Sequence, residues 1–197
     1  TPASLGYYFP AEFAPQEAMW LSWPHKEESW PGKIETIYAP YSQFVAEVAQ
    51  GQRVHINVAD EAMKSQANQH LQRAGAKMDK IFFHFFPTND AWCRDHGPAF
   101  LIHQQNDSRM IVDWEYNAWG GKYPPFDDDN KIPVGIAQSL GLPFAQPKII
   151  MEGGSVDFNG AGTVLTSRSC LLNPNRNPHL TQAQIEAYLC DYYGVSQ

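Results

Sequence analysis

The sequence predicts an α+β chain built from small repeated β/α units, and three observations lead there. Short apolar runs bounded by Pro, Gly and polar turns recur along all 197 residues, with single amphipathic stretches of helical period between them. Their order reads β-α-β-α-β, then ββ, α, β-ββ, α, which lacks the regular strand–helix alternation of a doubly wound sheet. An apolar content of 43% suffices for one sizeable core or part of a larger one, and no low-complexity linker divides the pieces.

The elements follow in chain order. AMWLSWP (18–24) is a strand closed by proline. From 34 to 50, Ile34, Ile37, Tyr38, Tyr41, Phe44, Val45 and Val48 fall at helical spacing, and Pro40 predicts a bend or a late start. RVHINVA (53–59) is strand-like, Asp60 is a candidate N-cap, and 61–74 reads as a helix ended by Gly75. KIFFHFFP (80–87) is a strand that runs into TNDAWCRDHGP (88–98), so that Asp95 is expected at a strand end. AFLIH (99–103) and RMIVDWEY (109–116) flank the polar turn QQNDS. The loop 117–130 is long and rich in Gly, Pro and Asp, and its Trp119 and Tyr123 favour a functional loop. A helix over 131–140 ends at Gly141, PKIIM leads to EGGSVDFNG, TVLTSRSCLL is a further strand region, and Thr181 can cap a last helix.

The bulk numbers exclude some functions. A net charge of -7, with 14 Lys and Arg spread without a run, leaves no electrostatic footprint for nucleic acid and suits a small cationic substrate better. Cys93, Cys170 and Cys190 have no CxxC spacing, so neither a zinc ribbon nor a disulfide framework is expected, and a reducing cytoplasm is the default location. Cys170 and Cys190 read as core residues. No apolar stretch has the length of a membrane span, and the first residues lack a signal-peptide pattern.

The segment 88–98 admits several chemistries. Asp90, Asp95, His84, His96 and Glu152 are of metal-ligand type, but no HxxxH, HxH or DxD spacing sets two of them on one face, and no metal is expected. Cys93 beside Arg94 and His96 could be an activated thiolate, opposed by Asp90 and Asp95, or a small hydrophobe under the loop. A third reading is a clamp for a guanidinium, whose planar charge offers a carboxylate two N–H groups. Asp95 would be that carboxylate, with Trp92 as an aromatic wall, Glu152 as a second acid, and Gly153 and Gly154 admitting close backbone approach. A plain polar turn, or a ligand- or carbohydrate-binding module using the 13% aromatic content, remains open on the residues alone.

Four motifs in order, TNDAWCRDHGPAF, DWEYNAWGGKY, MEGGSVDFNGAGTVL and CLLNPNRNPHLTQAQIE, resemble the agmatine deiminases and the bacterial peptidylarginine deiminases grouped with them. PAEFAPQEAMWLSWPHKEESWPGK resembles the N-terminal opening of that family. The resemblance implies the pentein fold, a propeller of five ββαβ-type units with the active site on its axis. It implies hydrolysis of a guanidino group to a ureido group and ammonia through a cysteine thiouronium, without cofactor or metal. For the agmatine deiminases this means N-carbamoylputrescine, on the way to putrescine and the polyamines. On this resemblance Asp95 matches the guanidinium-binding aspartate and Glu152 the acid that contacts the catalytic histidine. Trp92 and Trp119 match aromatic positions near the substrate, and Asn89, Asp90 and Arg94 support the loop. The family's G-H-x-D motif and glycine-rich nucleophile segment do not occur here. The expectation is therefore that residues 1–197 are the N-terminal part of a single catalytic domain, about the first three units, open and unable to turn over substrate without the remainder.

Overall fold

The computed structural model describes residues 1–197. In chain order the elements are β1 (Tyr7–Tyr8), β2 (Ala18–Ser22), α1 (Ile34–Gly51), β3 (Arg53–Val58), α2 (Glu61–Arg73), β4 (Ile81–Phe85), α3 (Cys93–His96), β5 (Ala99–His103) and β6 (Arg109–Val112). They continue as α4 (Ala118–Gly121), α5 (Ile132–Leu140), β7 (Phe144–Ala145), β8 (Val156–Phe158), β9 (Val164–Thr166), α6 (Arg168–Leu171) and α7 (Gln182–Tyr193). The chain is mixed α/β, its sheets are all open, and it divides into two compact units: Pro15–Cys93, and Thr1–Ala14 with Arg94–Gln197. No helix is long and apolar enough to cross a membrane.

The unit Pro15–Cys93 is a parallel sheet of order β2-β3-β4, with α1 and α2 as the crossovers that parallel strands require. Alternation puts Leu21, Val54, Ile56, Val58 and Ile81 in a core closed by Tyr38, Val45 and Ala49 of α1 and by Ala67 and Leu71 of α2. The opposite face carries Trp20, His55, Asn57 and His84. There the Trp20 ring stacks on His55 at 4.6 Å, and His55 Nδ1 lies 2.8 Å from His84 Nε2. Asp60 caps α2 by accepting from the Met63 N–H at 2.8 Å, as expected. The late start of α1 does not occur. The helix begins at Ile34 and absorbs Pro40 near its N-terminal end, where a single i→i−4 bond is forfeited.

The other unit has a four-stranded sheet of order β1-β5-β6-β7, in which only β6 and β7 are parallel, and an antiparallel hairpin of β8 and β9. Leu101, Val112, Trp114, Met151, Val156 and Phe158 pack there with Ile185, Leu189 and Tyr193 of α7. Thr181 caps α7 in a reciprocal capping box with Gln184.

Four further expectations are corrected. Asp95 is not at a strand end: β4 stops before Pro87, which has no N–H for a ladder, and Asp95 lies inside the helical turn α3. TVLTSRSCLL is a strand only as far as Thr166. The Ser167 carbonyl then accepts from the N–H groups of Cys170 and Leu171 and folds α6. β6 ends at Val112, since β7 runs out there, and Glu115 only bridges Ile150. Cys190 is exposed rather than core, one residue and so about 100° around α7 from buried Leu189. The two-residue strands β1 and β7 were not expected.

Candidate functional site

Two short turns meet in the unit that begins again at Arg94. The α3 turn offers Asp95, and the 3-10 turn Gly153–Ser155 offers its backbone: the Gly154 N–H donates to Asp95 Oδ1 at 3.1 Å. Arg94 fastens the same two turns together. Its Nε donates to the Gly153 carbonyl and its Nη2 to the Val156 carbonyl, each at 3.3 Å, and it pairs with Glu12 and with Asp157 at 3.6 Å. Neither glycine has an unusual φ. What requires them is closeness, because a Cβ on Gly153 would strike the Arg94 carbonyl oxygen and one on Gly154 the Asp95 carboxylate.

Burial raises the Asp95 pKa above the usual aspartate value, and the nearby Glu152 charge adds to that. The Gly154 N–H, the Arg94 guanidinium and a hydrogen bond from the Trp119 side chain oppose the rise. Asp95 is therefore a half-buried carboxyl that gains from a cation brought to it.

Trp119 reaches Asp95 from an unusual backbone. Residues 118–121 all have positive φ (48°, 58°, 84° and 74°), and the N–H groups of Gly121 and Lys122 bond back to the carbonyls of Asn117 and Ala118. The turn thus winds left-handed, which costs a non-glycine residue about 1–2 kcal/mol, here borne by Ala118 and Trp119. Asn117 Oδ1 caps it by accepting from the Gly120 N–H at 2.8 Å. Strain of this kind persists where the surroundings over-determine it, and the Trp119 ring is wedged edge-on against Tyr116 and Tyr123.

Glu152, just before the Gly-Gly turn, is buried. Its Oε1 accepts from Arg176 Nε at 2.7 Å, while its Oε2 is buried without a hydrogen-bond partner. Sequence reasoning did not single out Arg176, which sits in NPNRNP, a stretch that reads as a polar turn. The one available signal was the need of two neighbouring acids for positive charge.

The remaining expected site residues fall in the unit Pro15–Cys93. Trp92 is exposed and stacks on Trp30 at 5.7 Å. Asp90 is buried, accepts from the Ser29 hydroxyl and from the Ala91 N–H at 2.7 Å, and has Lys26 at 3.9 Å. Asn89 is half-buried beside it. Cys93 directs its thiol to the Trp20 carbonyl at 3.5 Å and packs against the apolar cluster, as the small-hydrophobe reading expects. His96 is buried 3.8 Å from Asp129. Asp129, in the Asp-rich end of the loop 117–130, is itself buried. Asp95, Glu152, Trp119, Gly153, Gly154 and Arg94 are thus brought together with Arg176 in one unit. Two acids, an aromatic ring and fixed backbone there suit a planar cation.

A family model described as Porphyromonas-type peptidyl-arginine deiminase matches residues 8–197. A Yersinia pestis protein provisionally named an agmatine deiminase is 40% identical over 200 residues, taking in 100% of this chain and 53% of its own length. The agmatine deiminase of Pseudomonas syringae pv. tomato is 37% identical over 202 residues, with the same two coverages of 100% and 53%. Among solved structures, the agmatine deiminase of Enterococcus faecalis matches with a TM-score of 0.89 at 33% identity, over 100% of this chain and 53% of that one. A cysteine-to-serine variant of C. jejuni agmatine deiminase with substrate bound matches with a TM-score of 0.84 at 31% identity, over 97% of this chain and 54% of that one. The chain spans about half the length of the curated relatives it matches. With a family match that runs almost from end to end, the chain belongs to the Porphyromonas-type peptidyl-arginine deiminase family.

Proposed function

We propose that this chain carries one side of the active site of an agmatine deiminase, a hydrolase that converts agmatine to N-carbamoylputrescine and ammonia. The observation that carries the reading is the Asp95 carboxyl, fixed by the Gly154 N–H and Trp119 and raised in pKa by its burial. A guanidinium docked on it would form a charge-assisted bidentate pair and draw the carboxyl into its ionised form. Trp119 is the wall of the substrate's planar head, Trp92 a second aromatic position, and Glu152 the acid that orients the acid–base histidine. Arg94, Gly153 and Gly154 hold the Asp95 turn, and Asn89 and Asp90 hold the loop that leads to it. In the reaction a cysteine thiolate adds to the guanidinium carbon and ammonia departs. Water then cleaves the resulting thiouronium to release the ureido product and restore the thiol.

On this reading the histidine, a second aspartate and the cysteine lie outside residues 1–197, and the chain alone is inactive. The whole is one catalytic domain, a five-bladed pentein propeller of which these residues are the first units. Exposed Phe144 on β7 and Leu165 on β9 fit surfaces that further units cover. The enzyme needs no cofactor, acts in the cytoplasm and feeds putrescine formation, with neither nucleic acid nor a membrane as partner. The description of the matching family model favours a second substrate, a peptidyl arginine.

Calorimetric titration of the full-length protein with agmatine, free arginine and a peptidyl arginine separates these. Agmatine is expected to bind best, and Asp95→Asn to weaken it about 100-fold, roughly the 2–3 kcal/mol of a charged hydrogen-bonded pair. Because the Asp95 pKa is raised, binding should begin to weaken on acidification at a pH above the ordinary aspartate range. Unchanged agmatine affinity in Asp95→Asn would sink the proposal, and a preference for the peptide would turn it to the second substrate. A saccharide bound equally well by Asp95→Ala and wild type, with no agmatine binding, would favour a carbohydrate-binding module.

A further inference from the structure

Arg176 touches two parts of the candidate site at once. Its Nε donates to Glu152 Oε1 at 2.7 Å, in a pair whose side chains are 9% and 4% exposed. Its Nη1 donates to Asn175 Oδ1, also at 2.7 Å. The Asn175 carbonyl accepts from Asn117 Nδ2 at 3.0 Å, and Asn117 is the residue that caps the left-handed α4 turn. Packing reinforces the link: a Cβ on Gly120 would collide with the Asn175 side chain and with Arg176 Nη1. An unbroken set of contacts therefore runs from the Glu152 carboxylate, through Arg176, to the turn that carries Trp119 to Asp95.

Two features set this apart from an ordinary buried ion pair. A guanidinium facing a carboxylate commonly offers two parallel N–H groups to its two oxygens. Here Arg176 reaches only Oε1, its Nη1 is committed to Asn175, and Glu152 Oε2 is left buried without a hydrogen-bond partner. A buried carboxylate oxygen without a donor is unfavourable, so it marks a place where an N–H group from elsewhere completes the arrangement. The second feature is charge. Glu152 lies close enough to Asp95 to raise its pKa, and two acids so close are mutually unfavourable unless cations face them. Arg94 serves Asp95 and Arg176 serves Glu152.

We propose that Arg176 is a positioning residue: it fixes Glu152 with Oε2 left for an N–H donor that completes the site, and it clamps the turn that sets the Trp119 ring against Asp95. The identity of that donor rests on the deiminase reading, while the clamp on the Trp119 turn does not.

The test uses full-length protein, Arg176→Gln and Arg176→Lys, with two readouts: the indole N–H resonance of Trp119, assigned through Trp119→Phe, and calorimetric titration with agmatine. Arg176→Gln is expected to move the Trp119 resonance and to weaken agmatine roughly tenfold or more. Arg176→Lys restores the positive charge beside Glu152 but lacks the fork that holds Glu152 and Asn175 together. It should recover part of the affinity while leaving the Trp119 resonance displaced. A role confined to stability would lower the melting temperature of both variants yet leave the resonance and affinity of the folded protein as in wild type, and that result overturns the proposal. Should Arg176→Gln fail to fold, Arg176→Lys decides alone, a displaced resonance supporting the clamp and an unmoved one refuting it. Wild-type protein that does not bind agmatine would refute the deiminase reading instead, with the Trp119 shift still deciding the clamp.

Discussion

The two units keep their buried polar groups in different ways. In Pro15–Cys93 the buried polar side chains are Ser22, Ser42, Asn57 and a single charged residue, Asp90. In the other unit they are His96, Asp113, Asp129, Glu152 and Asn177, with three carboxyl groups among them. The first unit gains its order from regular strands and amphipathic helices, whose backbone groups satisfy one another. The second combines β5, β6, α5 and α7 with strands as short as two residues and single turns, and it relies on side chains such as Arg94, Arg176 and Asn117 to tie the short pieces together. Burial of charge is costly where nothing is gained from it, and in the second unit it falls on three separate places: Asp113 beside Gln146, Asp129 beside His96, and Glu152, whose charge reaches Asp95.

That contrast can be tested from both sides. The largest effect is expected from Leu71→Ala, which empties the centre of the first unit. It should cost about 2–5 kcal/mol in denaturant unfolding, while agmatine affinity of the folded full-length protein stays at the wild-type value. Lost affinity in the folded variant would break the contrast.

The units should also differ in the sign of their response to acid. His55 is held at about 4, first by burial and then by His84 and Arg53, against an ordinary 6.5. Between those values the unfolded chain takes up a proton that the folded ring refuses. Its contribution is therefore most favourable above about 6.5 and is lost as pH falls toward 4, by on the order of 2 kcal/mol once screening of a half-buried ring is allowed for. Asp95 and Asp113 are raised by burial, so the folded state holds their protons longer and their contribution falls as pH rises from 3.8 through the raised values. Urea melts across pH 4 to 7 should therefore flatten in His55→Gln and steepen in Asp95→Asn. Matching slopes in both variants would erase the distinction.

The smallest change, one methyl group, is Gly120→Ala. Its φ of 84° and the collision with Asn175 and Arg176 predict a loss of about 1–2 kcal/mol, together with a displaced Trp119 indole resonance. An unmoved resonance would show that the turn does not depend on its packing against residues 175 and 176.

What the sequence made legible follows the same division. The apolar period of α1 and α2, the Asp60 and Thr181 caps and the Gly141 stop are local signals, readable within a few residues. Asp95, Glu152 and the two glycines were reached through residue type and family resemblance. The α3 turn, β1, β7 and α6 were not, because a two-residue strand or a single helical turn has no period to detect. Arg176 escaped for another reason: its partner is 24 residues away, and only folding makes a turn arginine the counter-ion of Glu152.

The left-handed turn has a consequence for anyone who would improve this protein. Ala118 and Trp119 hold a backbone conformation that glycine or asparagine adopts at less cost. A screen that rewards heat resistance alone would therefore favour replacements at these two positions. Ala118→Gly would relieve that strain at the expense of a buried methyl group, whereas the same relief at Trp119 would remove the ring that meets Asp95. On the proposed reading, robustness and recognition compete at a single residue, and a stabilising programme should leave Trp119 untouched.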